Sequence, residues 1–261
     1  MAVSPTLRKR IERKASEQAA QYRRELGLGI EPVADIFDLL ERQGLIVLRY
    51  PVTAKGLSAF IARDEDDYVV FINTEMTLGR QIFSAAHELG HYRMDRASLT
   101  LNICTPGDFP DSDPVELAAD CFAGAFLMPP EGIRKVFRER FGDNAVVTPR
   151  EVIVLQHTFR VSYAAMTVAL RTAGLITHPQ YKRLREYGSP ENAALLKSLV
   201  YRYGYTDELI SPTGAQIPRV FLQALNANYE DGRLSYKKLK ELLGMWQKTP
   251  EEMGFQFAAD Y

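Results

Sequence analysis

The chain has 261 residues, 46% of them hydrophobic and 25% charged, with a formal charge of −1. That length can bury a sizeable core, in one large domain or two modest ones. The near-neutral balance excludes a global field for nucleic acid or anionic membranes, no apolar run nears the ~20 residues of a spanning helix, and the basic N-terminus has no apolar segment behind it to make a signal peptide. Residues 7–26 read as a helix ended by Gly27 and Gly29. Its cations, from Arg8 to Arg24, are expected on a solvated face, with phosphate contact as the alternative. Pro32 is expected to open a second helix with the stripe Val33, Ile36, Phe37, Leu39 and Leu40, closed by Gly44.

Strand-like runs follow at 45–50, 57–63 and 68–73, the last two joined by a polar turn at 64–67. They predict a small antiparallel sheet beside the next helix. A free edge of that sheet would accept an extended peptide by strand addition.

The next stretch, Phe83-Ser-Ala-Ala-His87-Glu88-Leu89-Gly90-His91-Tyr92-Arg93-Met94, contains His-Glu-x-x-His. Two histidines four apart share one helix face, about one turn from each other, so both imidazoles can reach one metal ion. Glu88 projects to one side of that ion, where a general base for water belongs. Ile82, Phe83, Ala86, Leu89, Gly90 and Met94 can seat the helix in a core. The alternative is a pair of ordinary histidines on an amphipathic helix.

Residues 95–113, rich in Asp, Pro, Ser and Thr, read as a long irregular segment able to cover a cleft. Asp113 then caps a helix that Pro114 starts and Pro129-Pro130 stops. A catalytic zinc takes three protein ligands. A third motif histidine is excluded, since Met94 and Ala97 stand where its glycine and histidine would fall, and His157 and His178 are distant in sequence. A carboxylate is therefore expected, and Glu116 is the candidate. Asp120, one turn further on, can accept a hydrogen bond from a ligand histidine. Spacing leaves a second role open for Glu116, because Asp113-x-x-Glu116 is also a capping box. The two cysteines, Cys104 and Cys121, form no metal-type pair and are expected as reduced thiols, with a mutual disulfide as the alternative.

Residues 148–158 read as a helix, and Ser162 caps another that ends at Gly174. The second carries Arg171 as its only charge, which makes it a poor DNA reader, so DNA binding is expected to be weak or absent. Helical signals recur to the C-terminus, and Lys237, Lys238 and Lys240 form a local basic face. This part is expected to recognise a partner.

His87-Glu88-Leu89-Gly90-His91-Tyr92, together with Glu116-x-x-Ala-Asp120-x-Phe122-Ala123 and Leu127-Met128-Pro129, resembles the ImmA/IrrE family of metallopeptidases. The likeness covers residues 10–176. It implies that His87, His91 and Glu116 bind zinc, with manganese as a possible substitute, and that Glu88 is catalytic. The fold expected is α+β: a zincin-like domain over 1–145 with a small antiparallel sheet and the metal-binding helix, a helix-turn-helix-like segment over 146–177, and a helical accessory region over 178–261. The function implied is that of a cytoplasmic endopeptidase cutting a protein partner, a helix-turn-helix transcriptional repressor, to derepress genes in a stress response or a mobile element. Tyr92, Tyr163 and His157 are candidate oxyanion donors. The competing reading is a non-enzymatic, antitoxin-like binding protein that keeps the zincin scaffold; an intact Glu88 argues against it, since a scaffold needs no base.

Overall fold

The computed structural model describes residues 3–54, 56–96, 101–104 and 113–256. Helix α1 (Pro5–Glu25) begins where the Ser4 hydroxyl accepts from the amide of Leu7. Its buried face includes Ala15, Ala19 and Tyr22, and it lies along α4 (Pro114–Leu127). Alanines at the contact let the two axes approach closely.

Arg23 departs from the expected solvated face, being 2% exposed. Its Nε donates to the Gly29 carbonyl at 2.8 Å, and its two Nη groups donate to the carbonyls of Phe126 and Glu31. It thereby satisfies a carbonyl in the last turn of α4, where the helix has no amide of its own to offer. Burial pulls its pKa down to about 10 against the opposing charge of Glu31, so it stays a cation at neutral pH.

Helix α2 (Ile36–Arg42) starts later than Pro32 suggests. Asp35 is the true cap, accepting from the amides of Phe37 at 2.8 Å and Asp38 at 3.2 Å. Gly44, with φ of 82°, closes the segment as expected.

The α+β class is present, with a four-stranded sheet in the order β1-β3-β2-β4 formed by β1 (Ile46–Tyr50), β2 (Ala59–Asp64), β3 (Asp67–Asn73) and β4 (Leu101–Cys104). The sheet is mixed rather than wholly antiparallel. The β2–β3 hairpin is antiparallel, but β1 joins it on the β3 side and runs parallel, with Ile46 opposite Val69. Buried Asn73, at the end of β3, makes this arrangement possible. Its side chain bonds both the amide and carbonyl of Val52 and the carbonyl of Leu57, tying down the connection that passes over the end of β3. Strand β4 lies within the segment expected to be irregular and pairs antiparallel with β2, Ala59 opposite Cys104. The edge of β2 is thus covered. The rest of the expected cover, at 97–100 and 105–112, lies outside the described residues.

One continuous core runs from Ala15 to Leu209 and joins the sheet to the helices on either side of the metal motif. Helix α5 (Pro130–Phe141) was not expected, because Pro129-Pro130 reads as a stop. Pro130 instead occupies the first turn of the new helix, where its missing amide costs nothing. Gly132 is required there, as a Cβ would stand 2.2 Å from the Ile30 carbonyl oxygen. Helices α6 (Pro149–Phe159), α7 (Tyr163–Thr172), α8 (His178–Glu186) and α9 (Ala193–Arg202) complete this body.

A second, smaller core holds α10 (Arg219–Glu230) and α11 (Tyr236–Gly244) together through Leu225, Leu239 and Leu243. A strap before α10 ties the two bodies: Ser211 accepts from the amide of Leu78 at 2.9 Å, and the amide of Gln216 donates to the Arg49 carbonyl at 2.9 Å. Among the described residues, no helix is long and apolar enough to cross a membrane.

Candidate metal centre

Helix α3 (Leu78–Met94) carries the motif, and its inner face is apolar enough to bury Ile82, Ala85, Ala86 and Leu89. It crosses α4 at Gly90, where a Cβ would lie 3.2 Å from both Ala119 Cα and the Phe122 ring. Glycine at this position and alanine opposite allow the close approach that brings Glu116 to the histidines. The N-terminal turn is held as tightly: a Cβ at Gly79 would meet the Ser162 amide nitrogen at 2.8 Å.

His87, Glu88 and His91 are 4%, 0% and 0% exposed. Polar groups at that depth need partners. Asp120 Oδ1 lies 2.8 Å from His87 Nδ1, and Asp95 Oδ2 lies 3.4 Å from His91 Nδ1. A carboxylate there takes the Nδ1–H of its imidazole and leaves Nε2 with its lone pair outward. The two Nε2 atoms stand 3.0 Å apart, with Glu116 Oε2 3.1 Å from that of His87 and Oε1 3.4 Å from that of His91. In these tautomers three acceptors face one point, an arrangement that calls for a cation. Two ligand atoms each bonded at 2.0–2.1 Å to a tetrahedral zinc stand about 3.3 Å apart. The observed spacings bracket that value, so the residues fit a three-ligand divalent ion.

Burial alone would raise the carboxyl of Glu116, but where His87 and His91 also carry a proton on Nε2, their hydrogen bonds and charge outweigh it and hold it down to about 2. In the ligating tautomers the imidazoles give it no such bond. Of the two roles its spacing allowed, the geometry puts its carboxylate against the histidines, while Asp113 alone supplies the side-chain cap through the amide of Val115 at 2.8 Å.

Two further groups were not expected. Asp95 sits four residues beyond His91, a spacing that places it on the same face and that could have exposed it. Arg80 lies two turns before His87 on that face and donates to Ser58 Oγ at 3.4 Å. Burial lowers its pKa, and the charge of Asp120 works against that.

The candidate oxyanion donors do not gather here. Tyr92 packs edge-on to Tyr68 beneath Arg96. Tyr163 is buried beside Gly188 on the α8 side, its hydroxyl pKa pushed up by burial and then by Tyr187 and Tyr203. His157 stacks 4.2 Å from Tyr205, with its pKa lowered by burial. Cys121, next to Asp120, is a free thiol that burial, then Glu12 and Asp120, pushes up to about 11.

A sheet-backed His-Glu-x-x-His helix that meets a carboxylate from the following helix defines a metallopeptidase-type centre of gluzincin-like arrangement. The chain belongs to the Peptidase M78 family: the sequence model of the IrrE N-terminal-like domain matches residues 40–171, just over half of the 261. A comparison with curated proteins finds no match.

Proposed function

We propose that this protein is a zinc-dependent endopeptidase of the cytoplasm that cuts a helix-turn-helix transcriptional repressor and so derepresses genes in a stress response or a mobile element. The observation that carries the peptidase reading is the convergence of His87 Nε2, His91 Nε2 and the Glu116 carboxylate beside a fully buried Glu88. His87, His91 and Glu116 would hold the ion, zinc or in its place manganese. When bound, such an ion supplies Lewis acidity to a peptide carbonyl and to a water. Glu88 accepts the proton of the attacking water and passes it to the leaving nitrogen. Asp120 and Asp95 keep both imidazoles in the tautomer that ligation needs. An extended segment of the substrate would pair along the outer edge of β4.

The α6–α7 pair suits protein docking better than DNA. Arg171, the one charge of α7, lies 5.2 Å over the Tyr181 ring, and Val168 is half exposed. Phosphate contacts need several free cations.

The test is a digestion of the repressor encoded beside this gene, with parent protein, chelator-treated protein and Glu88→Gln at equal metal occupancy. Glu88→Gln should bind metal and repressor like the parent and cut ~10²–10⁴-fold more slowly, the usual loss with a positioned general base. Equal cutting removes Glu88 from that role. A metal-loaded parent that leaves every repressor intact overturns the function.

A further inference from the structure

The face of α3 that carries the metal ligands continues past them. His91, His87, Ser84 and Arg80 recur at helical spacing along it. Exposure rises in that order, from His91 at 0% and His87 at 4% to a half-buried Ser84 and an exposed Arg80. The face therefore opens toward the N-terminal end of the helix, and Arg80 stands at the open end.

Two contacts fix how α3 lies against the sheet. Arg80 Nε donates to Ser58 Oγ at 3.4 Å, just before β2 begins. At the other end of the helix the Tyr92 ring sits 5.0 Å from that of Tyr68, which pairs with Arg63 near the end of β2. Helix α3 thus runs beside β2 in the same direction. Strand β4 is antiparallel to β2, with Ala59 opposite Cys104 and Ala62 opposite Leu101. An extended chain on the outer edge of β4 would run the length of α3, with Arg80 at the Cys104 end.

The Arg80 side chain suits a charged partner. Its guanidinium is a fork of N–H donors that matches a carboxylate in two places at once. Among the described residues, only Ser58 takes a hydrogen bond from it. Asp120 acts on it through space without forming an ion pair, and has its own Oδ1 2.8 Å from His87 Nδ1.

We propose that Arg80 is a substrate-binding residue that selects an acidic side chain, Asp or Glu, close to the scissile bond. The inference rests on the peptidase reading and on pairing along β4. At ~1.5 Å of rise per residue, Arg80 lies ~10 Å along the axis from His87. At ~3.3 Å per residue, that is about three residues of an extended substrate. Antiparallel pairing, the kind β4 already makes with β2, puts the acidic residue N-terminal to the bond that is cut.

The experiment offers a random-sequence peptide library to the zinc-loaded full chain and maps the cuts by mass spectrometry. Parent, Arg80→Gln, Arg80→Lys and Arg80→Glu are compared at equal metal occupancy. The parent should favour Asp and Glu over Asn and Gln by about fivefold, the upper end for an exposed ion pair, at one position before the cut. Arg80→Lys should keep that preference, Arg80→Gln lose it, and Arg80→Glu replace it with Lys and Arg. The same library is captured on zinc-loaded Glu88→Gln, with and without Arg80→Gln, and the bound peptides are sequenced. Acidic peptides should be enriched only where Arg80 is present. Such capture beside a parent that cuts no peptide removes the peptidase reading and keeps the binding role of Arg80. An acidic preference that survives Arg80→Gln, or none in cuts and capture alike, overturns the proposal even where the parent cuts.

Discussion

The α3–α4 pair and the α10–α11 pair are both two helices packed on one face, built from opposite materials. The first buries His87, Glu88 and His91 and closes around Gly90 and Ala119. The second buries Leu225, Leu239 and Leu243, with Phe221 and Trp246 tilted together at 4.9 Å. Burying imidazoles and carboxylates costs free energy that apolar side chains never incur, so a chain keeps them inside only where something repays the cost. In α3–α4 the repayment is mutual bonding and, on our reading, a metal ion. In α10–α11 hydrophobic burial is enough, and such a pair carries no trace of chemistry in its composition.

The largest expected effect follows from that difference. Glu116→Ala removes one of the three converging acceptors and should lower metal affinity by more than Asp120→Ala does. The latter removes only the partner of His87 Nδ1 and should cost about 10–100-fold. Competition against a chromophoric chelator, with elemental analysis for stoichiometry, ranks the two. Equal losses would mean that Glu116 is no more a ligand than Asp120.

Core truncations should separate the two pairs next. Phe122→Ala, at the contact with Gly90, should cost about 3–5 kcal/mol and lower the midpoint of the main body. Leu239→Ala should cost about 2–5 kcal/mol, but inside the smaller core. Amide exchange is the measurement, with protection lost in α10–α11 and kept in α3–α4. Loss of protection in both would show that the strap at Ser211 and Gln216 makes them one cooperative unit.

The same contrast explains what sequence could and could not show. His87 and His91 are legible because two residues that face one ion from a single helix must recur at helical spacing, and spacing survives without coordinates; Glu116, on the next helix and open by spacing to a capping role, was singled out by the resemblance of its motif. The helices of the C-terminal third are legible as helices, through their caps and stripes, but nothing in leucine periodicity states a purpose. Parallel pairing of β1 was hidden, because it depends on Asn73 holding a connection whose ends are 21 and 16 residues away. Strand β4 was hidden by its four-residue length inside a segment of turn-forming residues. Arg23 sat in a run of exposed cations, and only the carbonyls of Gly29, Glu31 and Phe126 set it apart from them.

The smallest effect tests whether the main body is a single unit as far as α6. Thr148 caps that helix in a reciprocal box with Glu151: the amide of Thr148 donates to Glu151 Oε2 at 2.9 Å, its hydroxyl donates to the same oxygen, and the amide of Arg150 donates to Thr148 Oγ1 at 3.3 Å. Burial would raise the Glu151 carboxyl, but these bonds from Thr148, helped by Arg150, outweigh it and hold it below its ordinary 4.5. A carboxyl with a depressed folded pKa contributes stability that is complete above the unfolded value and fades as pH falls toward the folded one. Thr148→Ala should therefore cost about 0.5–2 kcal/mol at neutral pH, the range for a lost cap. The gap between parent and variant should stay level down to the ordinary 4.5 of a free glutamate and narrow below it. Denaturant unfolding at a series of pH values measures the gap, with Thr148→Ser as the control that keeps the hydroxyl. If the probes of α3 and α6 report one shared midpoint that moves with pH in this way, the cap belongs to the unit that holds the metal centre. A gap that widens on acidification would mean that the box does not depress Glu151, and separate midpoints would divide the body between α4 and α6.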